Sequence, residues 1–262
     1  MRKDIGAVQA GVDIMMIRRL SQHLRTQNWF AVGLDFAIVI LGVFIGLQLG
    51  NWNAARADRA AYEHALERYQ AEIATNLETL DTMEDETTVM LRAAGEAIDA
   101  LQSCQDDAET LRRINRGINV MMGTSGLSLR DSALDDLTTS PRLLAQQDEA
   151  ARKRFSDTAY LSGVFLREAD FIELIPLDER AQNNPLIRVG ALVNRSASYA
   201  GVDYSRPDRR LELGVPVSVA CEDNMLIKSL FTWERWQSAL PAVGRILRAQ
   251  YEDDLAWLNA RR

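Results

Sequence analysis

The chain is poor in the side chains that carry most enzyme chemistry: its 262 residues include only two His and two Cys. So few imidazoles and thiols leave little material for a metal centre. There is no P-loop, no G-x-G-x-x-G after a strand, no G-x-S-x-G elbow, no H-E-x-x-H and no C-x-x-C. The chain therefore lacks the usual motif of the P-loop, dinucleotide-binding, serine-hydrolase, zincin and dithiol classes. A basic surplus is also missing. With 30 Lys+Arg against 37 Asp+Glu and no basic stripe, the chain would repel a phosphate backbone, and nucleic-acid binding is not expected. The imbalance is uneven. Residues 1–53 hold five basic and three acidic groups, leaving 25 basic and 34 acidic groups for residues 54–262.

The residues that do offer chemistry have plainer readings. His64 has Glu63, Glu67 and Arg68 beside it but no second His after residue 53, so a solvated helix face outweighs a metal or base role. "DTMEDE" (Asp81, Glu84, Asp85, Glu86) and "EDDLAW" (Glu252, Asp253, Asp254) lack the glycine and ligand spacing of a calcium loop. No cofactor is expected.

What the chain has is one long apolar run. From Phe30 to Leu49 there are 20 residues with one charge, Asp35, and one amide, Gln48. A helix of that length spans about 30 Å, the hydrocarbon thickness of a bilayer. Trp29 and Trp52 flank it at the spacing of the two interfacial aromatic belts. A signal peptide's apolar region is shorter, roughly 7–15 residues, and "LQLGNWNAAR" offers no small-residue cleavage pattern. The run reads as an uncleaved anchor over residues 29–52, between an N-terminal segment (1–28) and a large domain (53–262). Arg56, Arg59 and Arg68 follow the run and nearly balance Arg18, Arg19 and Arg25 over short windows, but with Arg2 and Lys3 counted the N-terminal side is the more basic one. That bias places the N-terminus in the cytoplasm and the domain outside, in the periplasm of a bacterial inner-membrane protein.

The anchor has two distinct sides. At 100° per residue, Gly42 and Gly46 fall within about 20° of Asp35, and Gly42, Gly46 and Gly50 form two overlapping G-x-x-x-G motifs. One reading is a helix–helix seam, with a second copy or another membrane protein, in which Asp35 meets a polar partner. The other is an Asp35 only about 8 Å below the interface, reached by water and headgroups. Ahead of the anchor, Ile5, Val8, Val12, Met16 and Leu20 have helical spacing, consistent with an amphipathic helix on the cytoplasmic leaflet or with a native start at Met15 or Met16.

The fold class expected is mainly α: the anchor continues into a long helix of an antiparallel helical bundle. The stretch after Asn53 has no Pro and a single Gly up to Ser103. A heptad frame puts Tyr62, Tyr69, Asn76, Met83, Met90 and Ala97 at one seam position. It puts Leu66, Ile73, Leu80, Thr87, Ala94 and Leu101 at the other. This stripe needs a partner, either a second copy or the C-terminal "DNMLIKSLFTWERWQSALPAVGRILRAQYEDDLAWLNARR", which starts on cap-like Asp223 and Asn224 and is interrupted by Pro241. "DAETLRRINRGINVMMG" and "QQDEAARKRFSDTAYLSGVFLREADFIELI" read as helices, and "SALDDLTTSPRLLA" as a short helix running into a turn. Around 186–221, "RRLELGVPVSVAC" reads as two short strands about a Gly/Pro turn, or as an extended connection. Cys104 and Cys221 end apolar stretches near the last turn of the first long helix and the start of the C-terminal one. They are either a disulfide, if the domain is exported, or two buried free thiols.

The segment "AVGLDFAIVILGVFIGLQLGNWN", followed by an Arg- and Glu-rich helix, resembles a domain-of-unknown-function family of bacterial single-pass membrane proteins. The likeness rests on Asp35, Gly42 to Leu49 and Asn51-Trp52-Asn53, within about 50 residues. It implies an anchor plus a helical domain and carries no activity with it. The function expected is association: a non-enzymatic scaffold, accessory subunit or assembly partner in the bacterial envelope. A ligand-sensing domain signalling through a partner, and an enzyme of unrecognised type, are the alternatives.

Overall fold

The computed structural model describes residues 29–124, 127–174, 183–199 and 202–261. The expectations for the N-terminal 28 residues therefore fall outside the described residues. The protein is mainly α and divides into two compact units, Met1–Arg59 and Ala60–Arg262. Helix α1 (Trp29–Ser103) supplies the whole described part of the first unit and enters the second. There follow α2 (Ala108–Val120), α3 (Ser132–Thr139), α4 (Pro141–Leu144), α5 (Glu149–Leu174), strands β1 (Ile187–Tyr199) and β2 (Val202–Leu213), and helices α6 (Val217–Ala220), α7 (Asn224–Gln237) and α8 (Ala239–Ala260).

Local chemistry sets most of these boundaries. Asp107 caps α2, its Oδ1 accepting from the backbone N–H groups of Glu109 at 2.8 Å and Thr110 at 2.9 Å. The Thr110 N–H, and then the Thr110 hydroxyl, hold the Asp107 carboxyl below its usual range. Asp223 caps α7 in the same way, accepting from the N–H of Met225 at 2.7 Å. Helix α3 is capped from outside: Asp131 makes no side-chain cap, and Glu72 of α1 accepts instead from the N–H groups of Ala133 and Leu134 at 2.8 and 3.1 Å. Ser140 and Pro141 split the expected short helix and turn into α3 and α4, with Pro141 opening α4, where its missing N–H costs nothing. The break ahead of Pro241 falls at Ser238, which places the proline in the first turn of α8.

The heptad stripe of α1 is covered from within the same chain. Ten of its twelve positions are buried, and Leu66 and Met90 are half-buried. Helix α8 runs antiparallel to α1, as hydrogen bonds from Gln70 to Asn259, Tyr69 to Asp254 and Asn76 to Tyr251 require. Further along, Arg248 pairs with Asp81 at 2.6 Å and Arg245 with Glu84 at 3.2 Å. Two cores result. Tyr69, Ile73, Leu80, Phe155, Phe165, Leu247 and Tyr251 anchor one, between α1, α5 and α8. Ala94, Ala97, Leu101, Ile114, Ile118, Leu226, Leu230 and Trp233 anchor the other, between α1, α2 and α7.

The β-hairpin expected around 186–221 is present, but its strands are longer and its turn lies elsewhere than the Gly/Pro pair suggested. The two strands are 13 and 12 residues long and form one antiparallel hairpin, with Ile187 opposite Leu213 and Tyr199 opposite Val202. Gly214 and Pro216, expected to sit in the turn, follow the hairpin, and "VSVA" is the short helix α6. The reason is physical: most of the hairpin rests on no core, so the alternating burial that betrays a strand is absent beyond its base. A register shift interrupts the ladder between Val189 and Leu192.

Candidate functional site

The apolar run occupies the start of α1, and its side chains are uncovered: Phe36 is 68% exposed, Val39 63% and Leu47 62%. Soluble monomers seldom expose a contiguous apolar patch larger than a few hundred Å². Among the described residues α1 is the one helix long and apolar enough to cross a membrane. Gly42, Gly46 and Gly50 are open, since a methyl group added at any of them would touch nothing within 4 Å. Asp35 lies on the same helical face as Gly42 and Gly46. Trp29 opens the helix, and exposed Trp52 carries the Arg56 guanidinium 6.0 Å from its ring centroid, one turn beyond the apolar run.

Within the second unit the densest polar chemistry surrounds Asp254, which is fully buried. Its carboxylate accepts from the Tyr69 hydroxyl, from Thr158 Oγ1 at 2.7 Å, from Arg154 Nη1 at 2.9 Å and from Gln250 Nε2 at 3.1 Å. Burial, then the Asp254 charge, pushes the Tyr69 hydroxyl well above its ordinary pKa. Tyr251 is raised chiefly by burial and is held by Asn76 at 3.2 Å and Ser162 at 3.1 Å. Asn76 in turn donates to the carbonyl of Arg130 at 2.7 Å and accepts from its N–H at 2.8 Å, tying the loop before α3 to α1. Every member is satisfied by its neighbours, which is the arrangement of a structural network rather than of an open site.

His64 is exposed on the outer face of α1. In the acidic runs, Asp81 and Glu84 are engaged by Arg248 and Arg245, and Asp253 by Arg154. Among the described residues, no three His, Cys, Asp or Glu side chains form a group suited to a metal ion. Cys104 and Cys221 are joined as a disulfide, with Cα atoms 5.5 Å apart across 117 residues of sequence. Cys104 adopts the left-handed backbone region, φ 51°, at the end of α1. The bridge fastens that end to the C-terminal end of α6, beside the base of the hairpin.

Sequence reasoning singled out Asn76, grouped Asp254 with an acidic run read as solvated charge although it is fully buried, and passed over Glu72, Asn115 and Asn119. Asn115 and Asn119 lie one turn apart on α2. They bind the backbone of β2, with Asn119 accepting from the Leu211 N–H at 3.1 Å and Asn115 from the Leu213 N–H at 2.7 Å. Their four-residue spacing was the available signal, but a polar pair on a helix face more often meets water. Compared with protein-family models, with curated proteins and with solved structures, the chain finds no match in any of the three.

Proposed function

We propose that the protein is a non-enzymatic, membrane-anchored helical protein of the bacterial envelope that works by association. In this reading the N-terminus is cytoplasmic, α1 crosses the inner membrane through residues 29–52, and the Ala60–Arg262 unit lies in the periplasm. It serves as a scaffold, accessory subunit or assembly partner. The observation that carries the proposal is the uncovered apolar start of α1, with open glycines at positions 42, 46 and 50. Between helices in lipid no hydrophobic force operates, so close packing across small residues is what favours association. Asp35 on that face adds a polar group that a partner helix would satisfy. The fully satisfied Asp254 network and the ion-paired acidic runs fit a stable body better than a reaction centre.

The test is oxidative crosslinking in native membranes of full-length Gly42→Cys, Gly46→Cys and Phe44→Cys, with Phe44 on the opposite face. Residues 42 and 46 are expected to give a discrete homodimer or heteroadduct, and residue 44 none. Monomeric behaviour at all three positions would overturn the glycine-face seam.

A further inference from the structure

The hairpin is the part of the second unit left unexplained by packing or by the glycine face, and its two edges differ. Along β2 the outer edge is closed at the base of the hairpin. Asn119 accepts from the Leu211 N–H and donates to the Leu211 carbonyl, and Asn115 accepts from the Leu213 N–H. Further out, Pro207 has no N–H to offer. Along β1, among the described residues, one side-chain bond reaches the backbone, from Arg209 Nη1 to the Gly190 carbonyl at 3.3 Å, and none lies further out. From Leu192 to Ser196 there is no proline, and among the described residues no backbone bond other than those to β2 is found. Leu192 is 58% exposed, and Asn194, Arg195 and Ser196 are exposed as well. A strand edge of this kind is a template for pairing, and proteins blunt such edges when they are not used. Among the described residues, β2 is blunted at Leu211, Leu213 and Pro207, whereas β1 is open from Leu192 to Ser196.

Charge indicates what fits the open edge. Residues 187–213 hold five Arg and three acidic groups, whereas the rest of residues 54–262 hold 20 basic and 31 acidic groups. The register puts Arg195 opposite Arg206, and strand alternation brings Arg210 to the same face. Arg206 and Arg210 are exposed and make no ion pair among the described residues, while Arg195 is 3.7 Å from Asp208. Val202 and Tyr204 continue that face towards the tip and are exposed at 66% and 43%. A second arm of the same charge would be repelled, and an incoming strand with alternating carboxylates would be attracted.

We propose that the outer edge of β1, from Leu192 to Ser196, receives an extended acidic segment of a partner protein as a third strand. Backbone hydrogen bonds to β1 supply the affinity. Alternate Glu or Asp side chains on the Arg195–Arg206–Arg210 face supply the selectivity. The inference rests on the association reading but uses a different surface, so crosslinking at Gly42 and Gly46 and strand addition at β1 can fail separately.

The probe is a short synthetic peptide alternating Glu and Thr, with a Lys–Thr peptide as its counterpart, added to the full chain in detergent micelles. Fluorescence anisotropy reads binding and amide hydrogen exchange reads the location. The Glu–Thr peptide is expected to bind, to slow exchange within Leu192–Ser196, and to lose about tenfold in affinity with Arg206→Glu plus Arg210→Glu. Both substitutions lie on exposed positions, and an unchanged circular dichroism spectrum shows that the variant is folded. Equal binding of the Lys–Thr peptide, absence of binding, or protection confined to β2 would overturn the proposal. Protection of β1 that grows with protein concentration and needs no peptide would also overturn it, in favour of a second copy.

Discussion

At the scale of single residues, Asp254 shows how a buried carboxylate is made tolerable. Taking an ion out of water costs several kcal/mol, and donors of good geometry are needed to offset it. Here α1 contributes Tyr69, α5 contributes Thr158 and Arg154, and α8 contributes Gln250 from one turn away. The three helices are thereby locked at one depth, because a shift of any of them strips a donor from the charge. Removing a donor and removing the acceptor should therefore differ in cost. Tyr69→Phe is expected to lower stability by about 1–3 kcal/mol, the cost of one lost bond to a buried charge. Asp254→Ala should cost about 3–5 kcal/mol, since Arg154, Tyr69 and Thr158 all lose a buried partner. Urea unfolding of the detergent-solubilised chain, followed by far-ultraviolet circular dichroism, gives both values. If Asp254→Ala costs less than Tyr69→Phe, the carboxylate is not the hub of the network.

At the scale of elements, the second unit is organised by where backbones approach closely. Helix α2 crosses α1 at Gly117, where an added methyl carbon would sit 2.2 Å from the Cβ of Ala97 and 3.2 Å from the carbonyl oxygen of Ala93. Backbone atoms cannot give way as a flexible side chain can, so Gly117→Ala should destabilise by about 1–3 kcal/mol. Ala97→Gly in the same chain restores the room, and the double variant should recover part of the loss. A thermodynamic cycle over the two sites measures that coupling, and strictly additive costs would show that the helices do not meet there. Much of this element-level organisation was legible. The heptad frame from Tyr62 to Leu101 marked the buried face of α1, Asp223 marked a helix start, and the C-terminal apolar face marked the antiparallel partner. Less visible were contacts that join residues far apart, such as Glu72 capping α3 across some 60 positions. The hairpin was the hardest element. Strand patterns are legible because one face is buried, and beyond Leu211 this hairpin has neither face on a core.

At the scale of the whole molecule, the exposed apolar surface is concentrated by sequence. Phe30 to Trp52 form a nearly continuous run of exposed large hydrophobics in the first unit, whereas in the second unit such residues are scattered and two cores are well filled. Scattered apolar residues are normal on a soluble surface, but a continuous run is not. Solubility and folding should therefore separate along the chain. A fragment of residues 60–262 keeps both cores, the Asp254 network and the Cys104–Cys221 bridge, which closes a loop worth about 4–5 kcal/mol in the chain-entropy model. It begins just ahead of Tyr62, the first buried stripe residue, so no core contact is cut. The expected outcome is a fragment soluble without detergent that unfolds in one cooperative transition, while the full chain partitions into membranes. Sedimentation through a lipid flotation gradient reads the partition, and thermal unfolding reads the cooperativity. A fragment that floats with lipid would place a membrane-binding surface in the second unit. One that aggregates or unfolds without a transition would make residues 29–59 part of the folding unit, and anchor and body could no longer be treated as separable.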